Sequence, residues 1–448
     1  MKSKIASKLH SLNSFLLQNP IWAIVLFSII SRLSIIALYW KVTIFPDTGS
    51  YTGLSDLLLR FNIEGYNGER TPGYPLLLAM ANNWFPAVVV YQMRLGLVNA
   101  VYVYKTLLIL RFSKSASVYS TLLLNSMIHV IFYETAILTE AVTLLLITVS
   151  YYHIIRLLFY EQPGYRQVLI ISLLLGLLTI VKPFYVFLPF VICALYTIKN
   201  FSYSGIFNRS FILIFFSLLS FLGWSYVNKV NTGYFVSTSY YGITTAQNCV
   251  YFAEKAPEKY TLISSIYVKY RDRAIAENKD VAMSIWDAHD ELREKTGLNF
   301  IGLSHELGEF AKAAIINNPG DYAKQVAVSW KDFWRTSIYW NYHDFNVRYS
   351  NKACQGIWYI QSFILVTLKI IFVLLLPYHI FLFFRDRKIT PQFVIVAIVF
   401  STSILQAVAT YGTNSRYSYP FEFLIIICLL LTFKPQLKQM FTGRITTN

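Results

Sequence analysis

The sequence predicts an all-α, polytopic membrane protein of about ten transmembrane helices with a mostly helical insertion on the outer face. Two observations favour this class: 55% of the 448 residues are hydrophobic, and only 14% are charged. A soluble domain carries roughly a quarter charged residues, so the composition excludes an ordinary soluble enzyme and a disordered chain. The net charge of +16 would suggest a nucleic-acid partner in a soluble protein, but here the basic residues lie beside apolar segments, which predicts none.

The apolar segments set the expected domain organisation. A bilayer core requires about 20 apolar residues per helix, and ten segments approach this length. They are residues 20–40, 86–110, 116–133, 136–158, 168–181, 184–198, 211–227, 357–384, 393–411 and 421–433. The pattern predicts an N-terminal transmembrane module at 1–227, a helical domain outside the membrane at 228–356, and a C-terminal transmembrane module at 357–448.

The basic residues predict the orientation, because cytoplasmic loops collect Lys and Arg. With the N-terminus in the cytoplasm, fifteen Lys and Arg of the short segments fall inside and five fall outside. Both termini are therefore expected in the cytoplasm, and the loop 41–85 and the domain 228–356 outside. The first apolar run is too long for a signal peptide and has no small-residue cleavage site. The short loops favour a bacterial inner membrane.

The loop 41–85 contains one expected surface helix. Its apolar residues recur at helical spacing, which predicts an amphipathic helix lying on the membrane. These residues are Tyr51, Leu54, Leu57 and Leu58.

The outer domain has the same kind of periodicity at residues 281–296 and 304–317. Gly297 and the run Asn318-Pro319-Gly320 are expected to end these helices. Cys249 and Cys354 flank much of the domain, and their pairing in a disulfide is left open, because connectivity cannot be read from sequence.

Ionisable residues gather near the predicted outer face. Asp47 and Arg70 lie in the first outer loop, Glu140 at the outer end of a span, Lys182 in an outer turn and Arg416 before the last span. An acid beside several cations at the depth of lipid headgroups suits a phosphate-bearing lipid together with a nucleophile that must lose a proton. This predicts an active site on the outer, periplasmic side.

Each of these residues also has a simpler interpretation. Asp47 is placed to cap a helix, and the cations are long enough to extend to lipid headgroups. Glu140 is harder to explain in this way, because an acid in a membrane helix is costly. Arg32 and Arg94 lie inside apolar spans, where pairing with a buried acid or a carbonyl is expected. We assign them no role.

At these residues the sequence resembles the GT-C superfamily of integral-membrane glycosyltransferases, in the branch of protein mannosyltransferases and bacterial aminoarabinose transferases. The likeness is to the short bacterial members. It spans most of the chain as an ordered set of short motifs. These are Asp47 followed by Tyr51, the Arg-x-Pro-Gly-Tyr-Pro run from Arg70 through Tyr74 to Pro75, the pair Thr139-Glu140, the pair Lys182-Pro183, and Arg416-Tyr417 with Pro420.

The resemblance implies an inverting glycosyltransferase that takes a sugar from a polyprenyl-phosphate donor. Asp47 would act as general base on the acceptor hydroxyl, and Lys182, Arg416 and Arg70 would bind the donor phosphate. The expected substrate-binding residues are Glu140, Tyr51, Tyr74 and Tyr417. The acceptor would be a lipid-linked glycan, a lipid or a protein, and the process cell-envelope polysaccharide biosynthesis. An apolar groove for the isoprenoid is expected near Phe184, Tyr185 and Phe187.

The sequence predicts no metal ligand set. His305 and Glu309 share a helical face, but no second pair of ligands accompanies them. Many members of the superfamily have two close acids in the first outer loop, whereas here Asp56 and Glu64 are at some distance from Asp47. Whether the protein uses a divalent cation is therefore left open.

Two other functions remain as alternatives. An O-antigen polymerase or ligase also has many helices and a large outer loop, but an acid directly after the first helix is not typical of such proteins. A lipid-linked glycan flippase would carry polar or broken helices at mid-membrane and an inverted repeat. The gathering of ionisable residues at one face favours chemistry at the membrane surface.

Overall fold

The computed structural model describes residues 16–160, 164–199, 209, 211–412 and 414–436. Five of the basic residues used in the orientation argument lie outside the described residues. They are Lys2, Lys4, Lys8, Lys438 and Arg444. Within the described residues there is no β-strand, and the one isolated bridge joins Thr43 to Ala136.

The described residues of the first half of the chain contain ten helices from Pro20 onward. In order they are α1 (Pro20–Leu38), α2 (Pro46–Leu59), α3 (Gly73–Met80), α4 (Phe85–Ile109), α5 (Lys114–Asn125), α6 (Ile128–Thr135), α7 (Glu140–Phe159), α8 (Tyr165–Val181), α9 (Leu188–Lys199) and α10 (Phe211–Thr232). A 3₁₀ turn at Pro183–Phe187 joins α8 to α9.

The second half begins with the segment between α10 and the long helix α17, which we call the insertion (residues 233–349). Its helices are α11 (Tyr241–Gln247), α12 (Thr261–Ala276), α13 (Ser284–Asp287), α14 (His289–Thr296), α15 (Phe300–Asn317) and α16 (Pro319–Phe333). The remaining helices are α17 (Ser350–Asp386), α18 (Pro391–Ala409), α19 (Asn414–Ser418) and α20 (Glu422–Thr432).

Local sequence explains where several helices begin. Pro20, Pro46, Pro319 and Pro391 each stand at the first residue of a helix, where the missing N–H costs nothing and the fixed φ fits the helix. Gly297 follows α14 with φ 68°, the left-handed conformation that glycine adopts readily at a helix C-terminus. The prediction that Asn318-Pro319-Gly320 ends a helix is confirmed, because α15 ends at Asn317 with Asn318 as its C-cap, and Pro319 then starts α16.

Seven helices of the described chain are long and apolar enough to cross a membrane, by length and composition. They are α1, α4, α7, α10, α17, α18 and the segment Asn414–Thr432. The protein is thus an all-helical integral membrane protein. The predicted count of about ten spans is not confirmed, because α8 and Pro183–Lys199 are shorter apolar helices and because α5 and α6 meet at a bend of 53°.

The bend between α5 and α6 falls inside the segment that the sequence predicts to be one span at 116–133. Gln361 of α17 stabilises it: the side-chain amide donates to the Ser126 carbonyl at 3.0 Å, and its oxygen accepts from the Ile128 N–H at 2.9 Å. Two backbone groups released by the break are therefore satisfied within the apolar bundle, where an unpaired group is costly. If the bent pair counts as one span, the total is eight.

The two largest hydrophobic cores of the described residues lie in different parts of the chain. The larger lies among the membrane helices, and the smaller holds the insertion together from Ile243 to Ala314, with Tyr411 packed against it. Cys249 is buried in the smaller core and Cys354 in the larger one, and both are free thiols. A helix is confirmed at the predicted position as α2, which buries Tyr51 and Leu54, and its place at the membrane surface stays a prediction. The predicted helix at 281–296 is instead divided into a 3₁₀ turn, α13 and α14.

A buried ion pair joins α1 to α6. Arg32 binds Glu134 with two hydrogen bonds, from Nε to Oε2 at 2.7 Å and from Nη2 to Oε1 at 2.6 Å. Gly96 of α4 leaves the space for this pair, since a Cβ at Gly96 would lie 1.9 Å from Glu134 Oε1. Arg32 thus finds the buried acid that the sequence led us to expect, whereas Arg94 is exposed.

Arg32→Met is expected to lower the free energy of unfolding by about 3–5 kcal/mol, because it leaves the Glu134 carboxylate buried without a partner. The double variant Arg32→Met, Glu134→Leu should recover most of this loss. Arg94→Met, on an exposed arginine of a membrane helix, is the matched control. The measurement is denaturation of the detergent-solubilised protein followed by tryptophan fluorescence. Equal stability of Arg32→Met and Arg94→Met would contradict the expectation.

Candidate functional site

A short extended pairing aligns the two acids of the candidate site. The Thr43 N–H donates to the Thr135 carbonyl at 3.0 Å, and the Ile137 N–H donates to the Thr43 carbonyl at 3.1 Å. The pairing fixes the segment before α2 against the segment before α7. Asp47 is the second residue of α2 and Glu140 the first residue of α7, so both carboxylates lie at helix N-termini, where negative charge is favoured.

Asp47 is not the N-cap of α2. Phe45 occupies that position, and its N–H donates to Thr48 Oγ1 at 3.1 Å. The capping interpretation of Asp47 is therefore wrong, and its side chain is available for other contacts.

The Arg-x-Pro-Gly run lies on the C-terminal end of α8, directly before Lys182. A Cβ on Gly73 would lie 2.7 Å from the carbonyl carbon and oxygen of Ile180, so only glycine permits this approach. Thr71 Oγ1 donates to the Val181 carbonyl at 3.4 Å. This contact places Arg70 and Lys182, which are far apart in sequence, on the same end of the bundle.

The five ionisable residues singled out from the sequence form one connected cluster, which we call the charge cluster (Asp47, Arg70, Glu140, Lys182 and Arg416). Arg70 Nη2 and Arg416 Nη1 bind the two oxygens of Asp47 at 2.7 Å and 3.0 Å. Arg416 Nε and Lys182 Nζ share Glu140 Oε1 at 3.0 Å and 3.2 Å. Arg416 thus bridges the two carboxylates.

The charge cluster opens to solvent on the side of Asp47. The side chain of Asp47 is 32% exposed, whereas that of Glu140 is 0% exposed. The three cations lie between these limits. The Asp47 carboxylate is therefore accessible from outside, whereas the Glu140 carboxylate is enclosed and contacts Lys182 and Arg416.

The predicted tyrosines surround the cluster at different depths. The ring of Tyr51 lies 4.4 Å from Arg70 Cζ, and the ring of Tyr417 lies 4.5 Å from Lys182 Nζ. Tyr74 is fully buried one layer deeper, where its ring contacts Tyr51 edge-on and its hydroxyl donates to Gln92 Oε1 at 3.0 Å. Tyr74 therefore supports Tyr51 and does not face the cations.

Two tyrosines of the insertion complete the surroundings, and the sequence analysis did not identify them. The ring of Tyr240 lies 4.7 Å from Arg70 Cζ, and that of Tyr339 lies 5.3 Å from Arg416 Cζ. Such cation–π contacts hold a guanidinium at a fixed place without using its hydrogen bonds. In a chain with 33 tyrosines, no spacing marks these two.

The arginines determine the electrostatics of Asp47. Burial would raise the pKa of the Asp47 carboxyl, but the charges of Arg70 and Arg416 outweigh it and hold this pKa well below its ordinary value. Burial raises the pKa of the Tyr51 phenol to about 12, with Arg70 opposing the rise. At neutral pH Asp47 is therefore ionised and Tyr51 is neutral.

Other predicted residues lie away from the charge cluster. Asp56 accepts a hydrogen bond from Asn83 Nδ2 at 2.6 Å, and His305 Nδ1 binds the Tyr241 hydroxyl at 2.6 Å. Among the described residues no three His, Cys, Asp or Glu side chains meet in a group that could hold a metal ion. Tyr185 is fully buried in the larger core, so the expected groove is limited to the partly buried Phe184 and Phe187.

No protein-family model matches the chain, and no curated protein sequence matches it significantly.

Gly73→Ala is expected to lower the free energy of unfolding by about 1–3 kcal/mol, because the new methyl group meets the backbone of Ile180. Gly53→Ala in α2 is the matched control: a Cβ there has nothing within 4 Å, and alanine favours the helix. Thermal unfolding of both purified variants in detergent tests this difference. The close approach would be disproved if Gly73→Ala were as stable as Gly53→Ala.

Proposed function

We propose that this protein is an inverting glycosyltransferase of the GT-C type. It moves a sugar from a polyprenyl-phosphate donor to a hydroxyl of an acceptor. The observation that carries the proposal is the charge cluster itself: three cations and two carboxylates from five separate segments meet at one end of a bundle of membrane helices. Such a group suits a phosphate that arrives from the lipid phase.

The charge balance favours a monophosphate donor. Three cations and two carboxylates leave one net positive charge, which matches the single negative charge of a sugar phosphodiester. During transfer the acceptor oxygen bonds to the anomeric carbon while the bond from that carbon to the phosphate oxygen breaks. The electron pair leaves with the phosphate, whose charge then approaches −2. Positioned cations therefore bind the transition state more tightly than the donor.

Asp47 is the proposed general base. It is the exposed acid of the cluster, and it would take the proton of the acceptor hydroxyl as the new bond forms. The two arginines that hold its pKa low would make it a weak base if they acted on it alone. A donor phosphate bound to the same guanidinium groups would offset their charge and raise the basicity of Asp47. Proton removal would then follow donor binding.

Glu140 is proposed to orient the cations, since one of its oxygens accepts from both Arg416 and Lys182. Tyr51 lies beside Arg70 and Tyr417 beside Lys182, and both rings would contact the sugar. Tyr74 would support Tyr51 through their ring contact. Phe184 contacts Tyr417 edge-on at 5.2 Å between ring centroids, so an isoprenoid chain approaching Lys182 would pass an aromatic wall.

The location is part of the proposal. The excess of Lys and Arg in the opposite loops supports cytoplasmic termini and a periplasmic active site in a bacterial inner membrane. The acceptor would be a lipid-linked glycan, a lipid or a protein of the cell envelope.

Native mass spectrometry of the protein purified from its own membranes tests the donor class, with wild type beside Asp47→Asn. A co-purified polyprenyl-phosphate sugar would support the proposal, and its mass would narrow the identity of the sugar. A diphosphate-linked oligosaccharide would overturn it in favour of a polymerase, a ligase or a flippase.

Asp47→Asn is expected to reduce sugar transfer at least a hundredfold while it retains the donor. The amide keeps the size of the side chain but cannot accept the proton of the acceptor. The measurement is transfer of labelled sugar from the donor identified by mass spectrometry. Asp56→Asn, which changes an acid of the same helix outside the charge cluster, is the matched control. Transfer by Asp47→Asn at the rate of the control would remove Asp47 as the base.

Lys182→Ala and Arg416→Ala are expected to weaken donor binding about tenfold each and also to slow transfer, because each removes a charge-assisted contact to the phosphate. Lys41→Ala and Arg60→Ala, on exposed cations near the same end of the bundle, are the controls. Binding is measured by titrating the lipid into the detergent-solubilised protein. If both site variants bind the donor as tightly as the controls, the phosphate assignment is wrong.

A further inference from the structure

Lys369 is a buried cation that the proposed reaction does not use directly. It lies near the middle of the apolar helix α17 and is 1% exposed. An ammonium group has three hydrogens to donate, and all three find partners: Glu422 Oε1, Ser418 Oγ and the Arg335 carbonyl, each at 2.8 Å. A charge placed so deep in an apolar bundle is expensive, which points to a role beyond packing.

The partners of Lys369 belong to the two segments that carry Arg416 and Tyr339. Ser418 and Glu422 lie two and six residues after Arg416. Arg335 lies four residues before Tyr339, whose ring covers the guanidinium of Arg416. Lys369 therefore connects the segment that follows Arg416 to the segment whose Tyr339 covers its guanidinium.

Neighbouring contacts hold the Tyr339 segment in the same place. Thr336 Oγ1 binds Ser362 Oγ of α17 at 2.6 Å, and the Tyr133 hydroxyl binds Ser337 Oγ at 2.8 Å. The second carboxylate oxygen of Glu422, the partner of Lys369, is also occupied: Glu422 Oε2 binds His129 Nε2 at 2.7 Å. Ser418 Oγ also donates directly to the Arg335 carbonyl at 3.4 Å, and the Lys369 ammonium adds a charged group that contacts both segments at 2.8 Å.

We propose that Lys369 is a positioning residue for Arg416. It holds residues 414–422 against residues 335–339, so that the Arg416 guanidinium stays between Asp47 and Glu140 and meets the donor phosphate. This inference rests on the proposed function, because it assigns Arg416 to that phosphate. Lys369 itself touches neither the substrate nor the reacting atoms.

A positioning role differs measurably from a purely structural one. A structural defect weakens the binding of any isoprenoid, whereas misplacing Arg416 weakens only the contribution of the phosphate. Farnesyl phosphate and farnesol are suitable probes because they differ only in the phosphate group. The ratio of their affinities for the full-length protein in detergent isolates that contribution.

Lys369→Met keeps the length of the side chain and removes the ammonium group. It is expected to lower the affinity ratio about tenfold, the loss of one charge-assisted contact. In an Arg416→Ala background the same substitution should change the ratio less than twofold, since the residue through which Lys369 acts is gone. Ser418→Ala removes one of the three contacts and should lower the ratio by a factor of about three.

His379→Leu is the matched control. His379 lies on the same helix and binds Thr432 Oγ1 at 3.1 Å, so it joins α17 to α20 at the opposite end. It should leave the affinity ratio unchanged even where it lowers stability. If Lys369→Met fails to fold, Ser418→Ala alone and in the Arg416→Ala background carries the test.

The outcomes separate this inference from the function on which it rests. If wild type shows no preference for farnesyl phosphate over farnesol, the proposed phosphate site fails, and the positioning role fails with it. If wild type prefers the phosphate but the substitutions at Lys369 or Ser418 and at Arg416 act additively, the positioning role alone is overturned. Non-additive losses, with His379→Leu unchanged, would establish it.

Discussion

The bridge that Arg416 makes between Asp47 and Glu140 is the interaction on which the polar end of this molecule depends. The two acids lie on helices 93 residues apart in sequence, and without a shared cation they would repel each other across a poorly hydrated space. Arg416 also joins the start of the last membrane segment to α2 and α7. The cation–π contacts of Tyr240 and Tyr339 then join the insertion to the same group of charges.

The short helix α6 explains how so many charges are accommodated in an apolar bundle. It carries Glu134, which pairs with Arg32, and His129, which pairs with Glu422. The chain directly after it pairs with Thr43 and so aligns Asp47 with Glu140. Breaking a span at Ser126 thus lets one short helix, held by Gln361, serve the buried Arg32–Glu134 ion pair, the hydrogen bond between His129 and Glu422, and the charge cluster. Each charge has a partner, as burial in a medium of low polarity requires.

The sequence predicts the parts of this structure that depend on local composition. Apolar runs located the membrane helices, and the sidedness of unusual charges identified all five members of the charge cluster. Contacts between distant segments could not be predicted from the sequence. Nothing local marks Tyr240 or Tyr339 among the other tyrosines, and Lys369 looks like a misplaced charge until Glu422 is seen beside it. The bend at Ser126 depends on Gln361, a residue more than 200 positions later.

The two roles assigned to Asp47 are linked by the arginines that it shares with the donor. If a phosphate on Arg70 and Arg416 makes Asp47 more basic, protonation of Asp47 must strengthen phosphate binding by the same factor, because coupling between two sites is reciprocal. In the proposed reaction the carboxylate would therefore act as a competitor of the phosphate as well as a base. This competition would give the proposed reaction an order, since Asp47 would become basic enough to activate an acceptor only after a donor phosphate had taken its place on the guanidinium groups.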